Sequence, residues 1–252
     1  MPETEWAGQV AVVTGAGGAM GQALVAQLTA KGVKVAGLDR AESLKDADGF
    51  LAVPTDVGSA EAVRDAYATV DRELGPVSLL VNFAAMNSSP ESVLDMQPDE
   101  WTRVLDVNLN GTFWNCQEAL RRMMPARKGS IVNISSLNGF MGRRQFPTHA
   151  YAVSKSAVIG LTTTLASEVG KHGVRVNCVA PGLHKSPMAF AVAGSETATD
   201  EFFAGAREST PLDRVADAAE MAGPVMFLLS EASGYMTGQL LVSDGGRSTW
   251  YV

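Results

Sequence analysis

Short runs of apolar, often β-branched residues alternate along the chain with longer stretches of helical spacing. The short runs predict buried strands at residues 10–13, 33–36, 79–81, 130–134 and 174–179. The longer stretches predict helices at residues 22–31, 61–74, 101–124, 151–170 and 216–230. Because continuous apolar strands suit a parallel sheet covered on both faces, we expect one α/β domain over residues 1–252, a Rossmann-like doubly wound sheet flanked by helices.

One segment, at about residues 183–214, interrupts this alternation. Small and polar residues dominate its middle, at positions 194–200. Irregular segments of this kind lie on the surface and often cover binding sites. The segment is therefore predicted to form a mobile lid over the carboxyl ends of the strands.

Composition and charge narrow the range of partners. The net charge is −7 and the 20 Lys and Arg residues are scattered, which argues against binding to nucleic acid or an anionic membrane. No export signal opens the chain and no apolar run reaches the roughly 20 residues of a membrane span, so we expect a cytoplasmic protein. Cys116 and Cys178 lie far apart in apolar stretches, which indicates buried free thiols. No cluster of side chains predicts a metal site.

A glycine-rich loop follows the first predicted strand and leads into the first helix. Glycines let the backbone approach a pyrophosphate group, whose negative charge is favoured at a helix N-terminus. The general spelling G-x-G-x-x-G fails, because Met20 stands where a small residue is required. The candidate phosphate-binding residues are Gly15, Gly17, Gly18, Ala19, Met20 and Gly21.

The end of the second strand carries the candidate determinant of cofactor choice. Asp39 lies near the distance from the loop expected of a carboxylate that binds the adenosine ribose hydroxyls. It would accept hydrogen bonds from NAD and repel the 2′-phosphate of NADP. Arg40 favours NADP instead, because a guanidinium can pair with that phosphate. Since the glycine loop contains no basic residue, we expect NAD as the cofactor.

Tyr151 and Lys155 stand at positions i and i+4 of a predicted helix, so their side chains share one face. A free tyrosine, with a pKa near about 10, is a poor base at neutral pH. A neighbouring ammonium group and a positive nicotinamide ring both favour the phenolate. The pair would therefore suit a general acid/base, but alone such a pair occurs by chance on many helices, and a surface pair is the default interpretation.

These motifs, in this order, resemble those of the short-chain dehydrogenase/reductase family, of the common single-domain kind. The glycine loop is similar to its spelling T-G-x-x-x-G-x-G, with Ala19 at the middle glycine. Tyr151 and Lys155 match its Y-x-x-x-K, and Ser135 and Ser136 open a match to its S-S-x-x-G. The resemblance covers essentially the whole chain.

The resemblance implies a catalytic set of four residues. Ser136 is expected to bind the substrate oxygen, and Tyr151 to exchange its proton. Lys155 is expected to lower the pKa of the tyrosine and to bind the nicotinamide ribose. Asn108, in a match to the family's V-N-x-x-G, is expected to kink its helix and to hold a water behind the lysine.

The resemblance also implies further contacts with the cofactor, in addition to those of Tyr151 and Lys155. The segment that follows the predicted strand at residues 79–81 departs from the family's N-N-A-G at Phe83 and Ala85. The expected contacts come from residues that match the family's motifs at strand ends: Asp56, Val57, Asn82, Ala84, Pro181, Gly182 and Ser186.

Candidate substrate contacts lie close to the catalytic motif. His149 and His184 fall where a substrate would pass. The segment before Tyr151 is longer than the family's commonest spacing and contains Arg143 and Arg144, whose guanidinium groups suit a carboxylate or phosphate. The alternative is that both arginines are solvated loop charges or reach a neighbouring subunit.

The helices at residues 101–124 and 151–170 carry more apolar residues than one face can bury against a sheet. Family members commonly associate through these helices, so we expect a homotetramer, with a dimer as the alternative. The residues that support this expectation are Val104, Phe113, Trp114, Leu120, Ala157, Leu161 and Leu165.

The function that these features predict is hydride transfer between NAD(H) and a secondary alcohol or ketone, with Tyr151 as general acid/base. Two alternatives stay open. One is an NADPH-dependent reductase of 3-ketoacyl thioesters. The other is a catalytically silent dinucleotide-binding module that regulates a partner. No motif decides which small molecule is the substrate.

Overall fold

Nine strands are present in the computed structural model, which describes residues 5–44, 49–89, 92–142, 148–193 and 196–249. The strands are β1 (Val10–Thr14), β2 (Lys34–Asp39), β3 (Leu51–Pro54), β4 (Leu79–Asn82), β5 (Gly129–Ile134), β6 (Val174–Pro181), β7 (His184–Lys185), β8 (Ala216–Asp217) and β9 (Leu240–Ser243). Seven of them form one parallel sheet in the order β3-β2-β1-β4-β5-β6-β9, and β7 pairs with β8.

Helices connect these strands and cover both faces of the sheet. They are α1 (Ala19–Ala30), α2 (Ala60–Glu73), α3 (Pro98–Leu105), α4 (Gly111–Ala126), α5 (His149–Val169), α6 (Pro187–Ala193), α7 (Glu196–Glu208) and α8 (Ala222–Leu229). A π-helical segment, Asp106–Asn110, joins α3 to α4. None of the helices within the described ranges is long and apolar enough to span a membrane.

Two hydrophobic cores lie on opposite faces of the sheet, as strand β1 illustrates. Ala11 and Val13 pack into the core that includes α1 and α8, whereas Val10 and Val12 pack into the core that includes α2, α4 and α5. Side chains alternate between the faces of a strand, so a strand covered on both sides is apolar throughout. Each fully buried Val or Leu side chain contributes about 1.5–3 kcal/mol to folding.

The doubly wound α/β fold predicted from the sequence is confirmed. The strand order reverses between β1 and β4, and ligands of such sheets bind at the carboxyl ends beside this reversal. Strands β3 and β9 were not among the runs predicted from periodicity. Both form edges of the sheet and expose part of their residues, so they lack a continuous apolar run.

Two helix predictions need correction. The helix predicted at residues 101–124 is divided by the π-helical segment into α3 and α4. The helix predicted at 216–230 begins as α8 only at Ala222, after the short strand β8 and a 3₁₀ turn. The segment predicted as a lid contains helices α6 and α7.

The apolar surface that residues 101–124 and 151–170 leave for a subunit interface is smaller than the sequence predicts. Val104, Leu120 and Leu165 are buried within the chain itself, with exposed fractions of 0%, 7% and 8%. These three residues therefore cannot contribute to a subunit interface. Phe113, Trp114, Ala157 and Leu161 remain half-buried. Cys116 and Cys178 are buried free thiols, as predicted.

Candidate active site

A cleft of about 940 Å³ runs along the carboxyl ends of the strands, at the reversal of strand order. It gathers most of the side chains that the sequence singles out, from the glycine loop after β1 to the residues after β6. The predicted residues that line it are Gly15, Gly17, Gly18, Ala19, Met20, Gly21, Asp39, Arg40, Asp56, Val57, Ala84, Ser136, Tyr151, Lys155, Pro181, Gly182, His184 and Ser186.

The glycine loop packs so tightly that side chains are excluded from two of its positions. Gly15 has a positive φ of 68°, and a Cβ there would lie 2.7 Å from the backbone nitrogen of Ala84. A Cβ on Gly17 would collide with the carbonyl oxygen of Ser43. The loop ends at Gly18, the N-cap of α1. The three glycines of the loop line the cleft at the N-terminus of α1, a position that fits the pyrophosphate of a dinucleotide.

Two carboxylates organise the β2 end of the cleft: Asp39 binds backbone N–H groups, and Glu42 pairs with Arg40. Asp39 Oδ2 accepts a hydrogen bond from the Gly17 N–H at 3.0 Å, and its Oδ1 accepts one from the Arg40 N–H at 2.8 Å. The guanidinium of Arg40 pairs with Glu42 instead, with 3.3 Å between Nε and Oε1. Asp39 therefore joins the glycine loop to β2, where it can also accept from ribose hydroxyls.

A second ion pair, between Arg103 and Asp56, stands in the same part of the cleft. Arg103 Nη1 lies 3.2 Å from Asp56 Oδ2, and Asp56 Oδ1 accepts a hydrogen bond from the Gly58 N–H at 3.0 Å. Arg103 lines the cleft and was not predicted from the sequence, because it lies on a helix that reads as an ordinary amphipathic one.

Ser136, Tyr151 and Lys155 come together where β5 meets α5. Ser136 follows β5 in extended conformation, and its side chain shares a hydrogen bond with the Tyr151 hydroxyl. Lys155 lies one turn further along α5; its Nζ donates to the Ile134 carbonyl at 2.8 Å and lies 5.7 Å from the centre of the Tyr151 ring. A proton donor, a proton acceptor and a cation thus face one point of the cleft.

Burial sets the electrostatics of this group. It raises the pKa of Tyr151, and the hydrogen bond with Ser136 opposes the rise only in part. It lowers the pKa of Lys155 to about 8, with a smaller opposing effect from Cys178. In the protein alone the pKa of the tyrosine is raised, because desolvation penalises the phenolate more than the hydrogen bond with Ser136 stabilises it.

Asn108 lies behind Tyr151, to which Ser154 links it, and does not line the cleft. It belongs to the π-helical segment, where its amide accepts from the Met86 N–H at 2.8 Å and donates to the Met86 carbonyl at 2.9 Å. The same amide donates to Ser154 Oγ at 3.0 Å, and Ser154 donates to the Tyr151 carbonyl at 2.7 Å. Asn108 therefore connects the loop after β4 with the first turn of α5.

Asn82, predicted to contact the cofactor, is also placed outside the cleft. Its side chain is buried at the end of β4 and donates to Asn133 Oδ1 at 2.9 Å. Its own Oδ1 is buried and accepts no hydrogen bond from the described residues. The side chain therefore links the end of β4 to β5, through Asn133.

The candidate substrate residues lie in different places in the structure. His184 is buried in the wall of the cleft, where Nδ1 lies 3.0 Å from the Gly182 carbonyl, and burial lowers its pKa. His149 lines a separate cavity of about 420 Å³ beside Phe140 and Val153, not the cleft. The predicted substrate residues Arg143 and Arg144 lie outside the described residues.

The structure adds residues of the cleft wall that sequence patterns missed. Met188 and Phe202, on helices α6 and α7, line the cleft near its β6 side. Arg247, in a 3₁₀ turn after β9, lines it as well. No group of three or more His, Cys, Asp or Glu side chains in the described part of the chain is placed to hold a metal ion.

The fold and the cleft together define an oxidoreductase that binds a nicotinamide dinucleotide. The sequence model of a family described as enoyl-(acyl carrier protein) reductase matches residues 15–248. The chain belongs to the short-chain dehydrogenase/reductase family, which confirms the resemblance seen in its motifs.

Relatives cover nearly the whole chain. Galactitol 2-dehydrogenase of Rhizobium johnstonii is 38% identical over 253 residues, with 96% of both chains covered. The 3-oxoacyl-(acyl-carrier-protein) reductase of Salmonella typhimurium is 34% identical and covers 95% of this chain and 97% of its own. Ligand-free aldohexose dehydrogenase of Thermoplasma acidophilum has a TM-score of 0.91 at 29% identity, covering 98% and 96%. NAD⁺-bound xylitol dehydrogenase has a TM-score of 0.88 at 33% identity, covering 96% and 100%.

Proposed function

We propose that the protein is an NAD-dependent dehydrogenase that oxidises a secondary alcohol, or reduces the matching ketone. The observation that carries the proposal is the convergence of Ser136, Tyr151 and Lys155 on one point of the cleft, beyond the carboxyl end of β5. The bound dinucleotide supplies the hydride acceptor or donor.

The chain's own residues bind the substrate and move its proton. Ser136 donates to the alcohol or carbonyl oxygen, and the Tyr151 hydroxyl takes up or gives back the proton of that oxygen. Lys155, with a pKa of about 8, still carries most of its charge at pH 7 and stabilises the phenolate across the 5.7 Å between Nζ and the ring centre. Asn108 holds this arrangement from behind, through Ser154.

Asp39 supports NAD as the cofactor. Its carboxylate lies at the ribose end of the cleft, where it would accept from two free hydroxyls and repel a 2′-phosphate. Arg40 and Arg103 are the basic residues that could instead attract that phosphate, and each is paired with a carboxylate. The similar structure of NAD⁺-bound xylitol dehydrogenase is consistent with this choice.

Initial rates with NAD and NADP test the cofactor assignment. We expect kcat/KM for NAD to exceed that for NADP by at least about tenfold, equivalent to about 1.4 kcal/mol. Asp39→Ser should narrow or invert the ratio, since it removes both the repulsion and the ribose contacts. Exchange of the exposed Glu61 on α2 for Gln is the control, with no expected change. Equal or better use of NADP by the wild type would overturn the assignment and make Arg40 the determinant.

The second candidate is an NADPH-dependent reductase of 3-ketoacyl thioesters. The observation in its favour is the 34% identity to the Salmonella reductase. Oxidation of NADPH with an acetoacetyl thioester, compared with reduction of NAD by polyols, separates the two. A chain without turnover in either assay, yet with dinucleotide bound, would be the silent regulatory module.

We further propose a cytoplasmic homotetramer that takes a small-molecule substrate and needs neither nucleic acid nor membrane. Phe113, Trp114, Ala157 and Leu161 are the half-buried apolar residues of α4 and α5 that support association. Phe113 and Trp114 stack edge to face, with 5.0 Å between ring centres. Light scattering at micromolar concentration tests the assembly, and a monomer would contradict it.

A further inference from the structure

Arg247 is held in the wall of the cleft by a tight turn that follows β9. Asp244 caps this turn: its Oδ1 accepts from the Gly246 N–H at 2.9 Å and its Oδ2 accepts from the Ser248 N–H at 2.6 Å. Both oxygens of the carboxylate are therefore committed to the backbone. Arg247, between these two donors, is thus fixed at its backbone, and it is one of the residues that line the cleft.

Glycines make the turn possible and bring it against the end of the lid. Gly245 and Gly246 have φ values of 66° and 89°, in the left-handed region. A Cβ on Gly245 would lie 2.6 Å from Thr210 Cγ2, and the Gly245 carbonyl accepts a hydrogen bond from the Leu212 N–H at 3.1 Å. The position of Arg247 thus depends on the same packing that seats the segment after α7.

The guanidinium of Arg247 has no hydrogen-bonded or ion-paired carboxylate among the described residues, although it is half-buried. Burial lowers its pKa and the nearby charge of Asp244 opposes this, but an arginine stays charged in any case. The other basic residues from position 183 onward are each paired, across the following distances: Lys185 to Asp217 at 3.2 Å, Arg207 to Asp213 at 3.2 Å and Arg214 to Glu220 at 2.7 Å. Arg247 differs from them in lining the cleft without a carboxylate partner in the part of the chain that the structure describes.

The sheet order places this cation on the substrate side. Gly182, at the end of β6, donates its N–H to the Ser243 carbonyl at 2.9 Å, so the turn stands beside the β6 end of the cleft. Asp39, at the ribose end, is separated from it by the strands β1, β4, β5 and β6. Arg247 is therefore remote from the part of the cleft where the adenosine of a dinucleotide belongs.

We propose that Arg247 binds the carboxylate of the substrate, so that the favoured substrates are hydroxy acids or keto acids rather than uncharged alcohols. This inference rests on the proposed dehydrogenase function. A guanidinium binds both oxygens of a carboxylate at once. An arginine without a carboxylate partner among the described residues balances a single negative charge, and His184 in the same cleft wall is buried, with a lowered pKa, and adds no second cation. Met188 and Phe202 offer an apolar wall for the carbon chain.

Matched substrate pairs test the inference with the wild-type enzyme and NAD. D-gluconate is compared with D-glucitol, and 3-hydroxybutyrate with 2-butanol, because each pair differs in the carboxylate. We expect the acid to be favoured in kcat/KM in at least one pair. Arg247→Gln should reduce that preference about 10- to 100-fold, the effect typical of losing a charge-assisted hydrogen bond. Arg247→Lys, which keeps the charge without the planar fork, should give an intermediate ratio.

Arg207→Gln is the matched control, because Arg207 is exposed, paired with Asp213 and outside the cleft. It should leave the acid-to-alcohol ratio unchanged. Thermal unfolding of all variants establishes that each is folded. The inference is wrong if the wild type has an equal or higher kcat/KM for the uncharged member of both pairs, or if Arg247→Gln keeps the preference for the acid. In either case the dehydrogenase function stands. If no pair is oxidised with NAD, the proposed function fails, and the inference fails with it.

Discussion

Replacement of Lys155 by methionine should abolish turnover and at the same time make the protein more stable at neutral pH. The lysine is 2% exposed, and burial lowers its pKa from 10.5 to about 8. At about 1.4 kcal/mol per pKa unit, keeping the buried group charged costs about 3 kcal/mol. Loss of the hydrogen bond from its Nζ to the Ile134 carbonyl offsets about 1–2 kcal/mol of this. The net gain is about 1–2 kcal/mol, or about 2–8 °C in Tm for a chain of this size.

The dependence of this gain on pH is the sharper test. The pKa of Lys155 in the folded state is below its unfolded value, so the cost is fully present below pH 8 and disappears as the pH rises from about 8 to 10.5. In that window the unfolded state binds more protons, and wild-type stability rises with pH relative to the variant. We expect the advantage of Lys155→Met to shrink above pH 8 and to reverse by about pH 10.

Thermal unfolding without dinucleotide, from pH 7 to pH 10, measures both effects. Lys31→Met, at the exposed end of α1, is the control and should follow the wild-type curve. Burial raises the pKa of Cys116 to about 12 and that of Cys178 to about 11, so both thiols of the folded protein stay largely protonated up to pH 10 and change the difference curve little. A variant that is less stable at pH 7, or a difference in Tm that does not vary with pH, would refute the reasoning.

Three further substitutions probe the site. Tyr151→Phe should lower turnover by about 10²- to 10⁴-fold, while fluorescence titration finds nearly unchanged NADH binding; retained turnover would exclude the tyrosine as the acid/base. Gly17→Ala should weaken NADH binding and lower Tm, because its Cβ would meet the Ser43 carbonyl oxygen, and wild-type values for both would show that the loop yields. Asn108→Ala leaves the Met86 N–H and carbonyl without partners and should cost about 1–3 kcal/mol in urea unfolding; no loss there would contradict the linking role.

Elements that depend on the spacing of residues close together in the chain could be predicted from the sequence. The buried strands of the sheet centre are apolar on both faces, so β1, β4, β5 and β6 stand out as continuous runs. The carboxyl ends of parallel strands meet at one edge, so the polar residues after those strands converge in the cleft. Tyr151 and Lys155 were predicted from their helical spacing and, like Ser136, from the family resemblance, and the structure brings the three together.

Features that depend on long-range packing could not be predicted. Val104 has the spacing of a surface-facing apolar residue, yet the fold buries it completely. His149 lies close to Tyr151 in sequence, but it is two positions away on the helix, so its side chain leaves the axis in another direction and His149 lines a neighbouring cavity. Arg247 belongs to no helix or strand pattern, and only the pairing of β9 with β6 brings it beside the cleft. The pKa of Tyr151 likewise depends on burial, which no spacing reveals.

The walls of the cleft come from two separable parts of the chain. The proposed proton-transfer residues lie just after β5 and on α5, near the centre of the sheet, whereas Met188, Phe202 and Arg247 belong to segments attached outside it. Changes in the outer segments can alter what enters the cleft without disturbing the group that reacts. The same framework can therefore diverge toward new substrates by changes at its periphery, which is consistent with relatives named for galactitol, aldohexose and xylitol. Laboratory evolution of substrate range in this protein should begin with α6, α7 and the turn after β9.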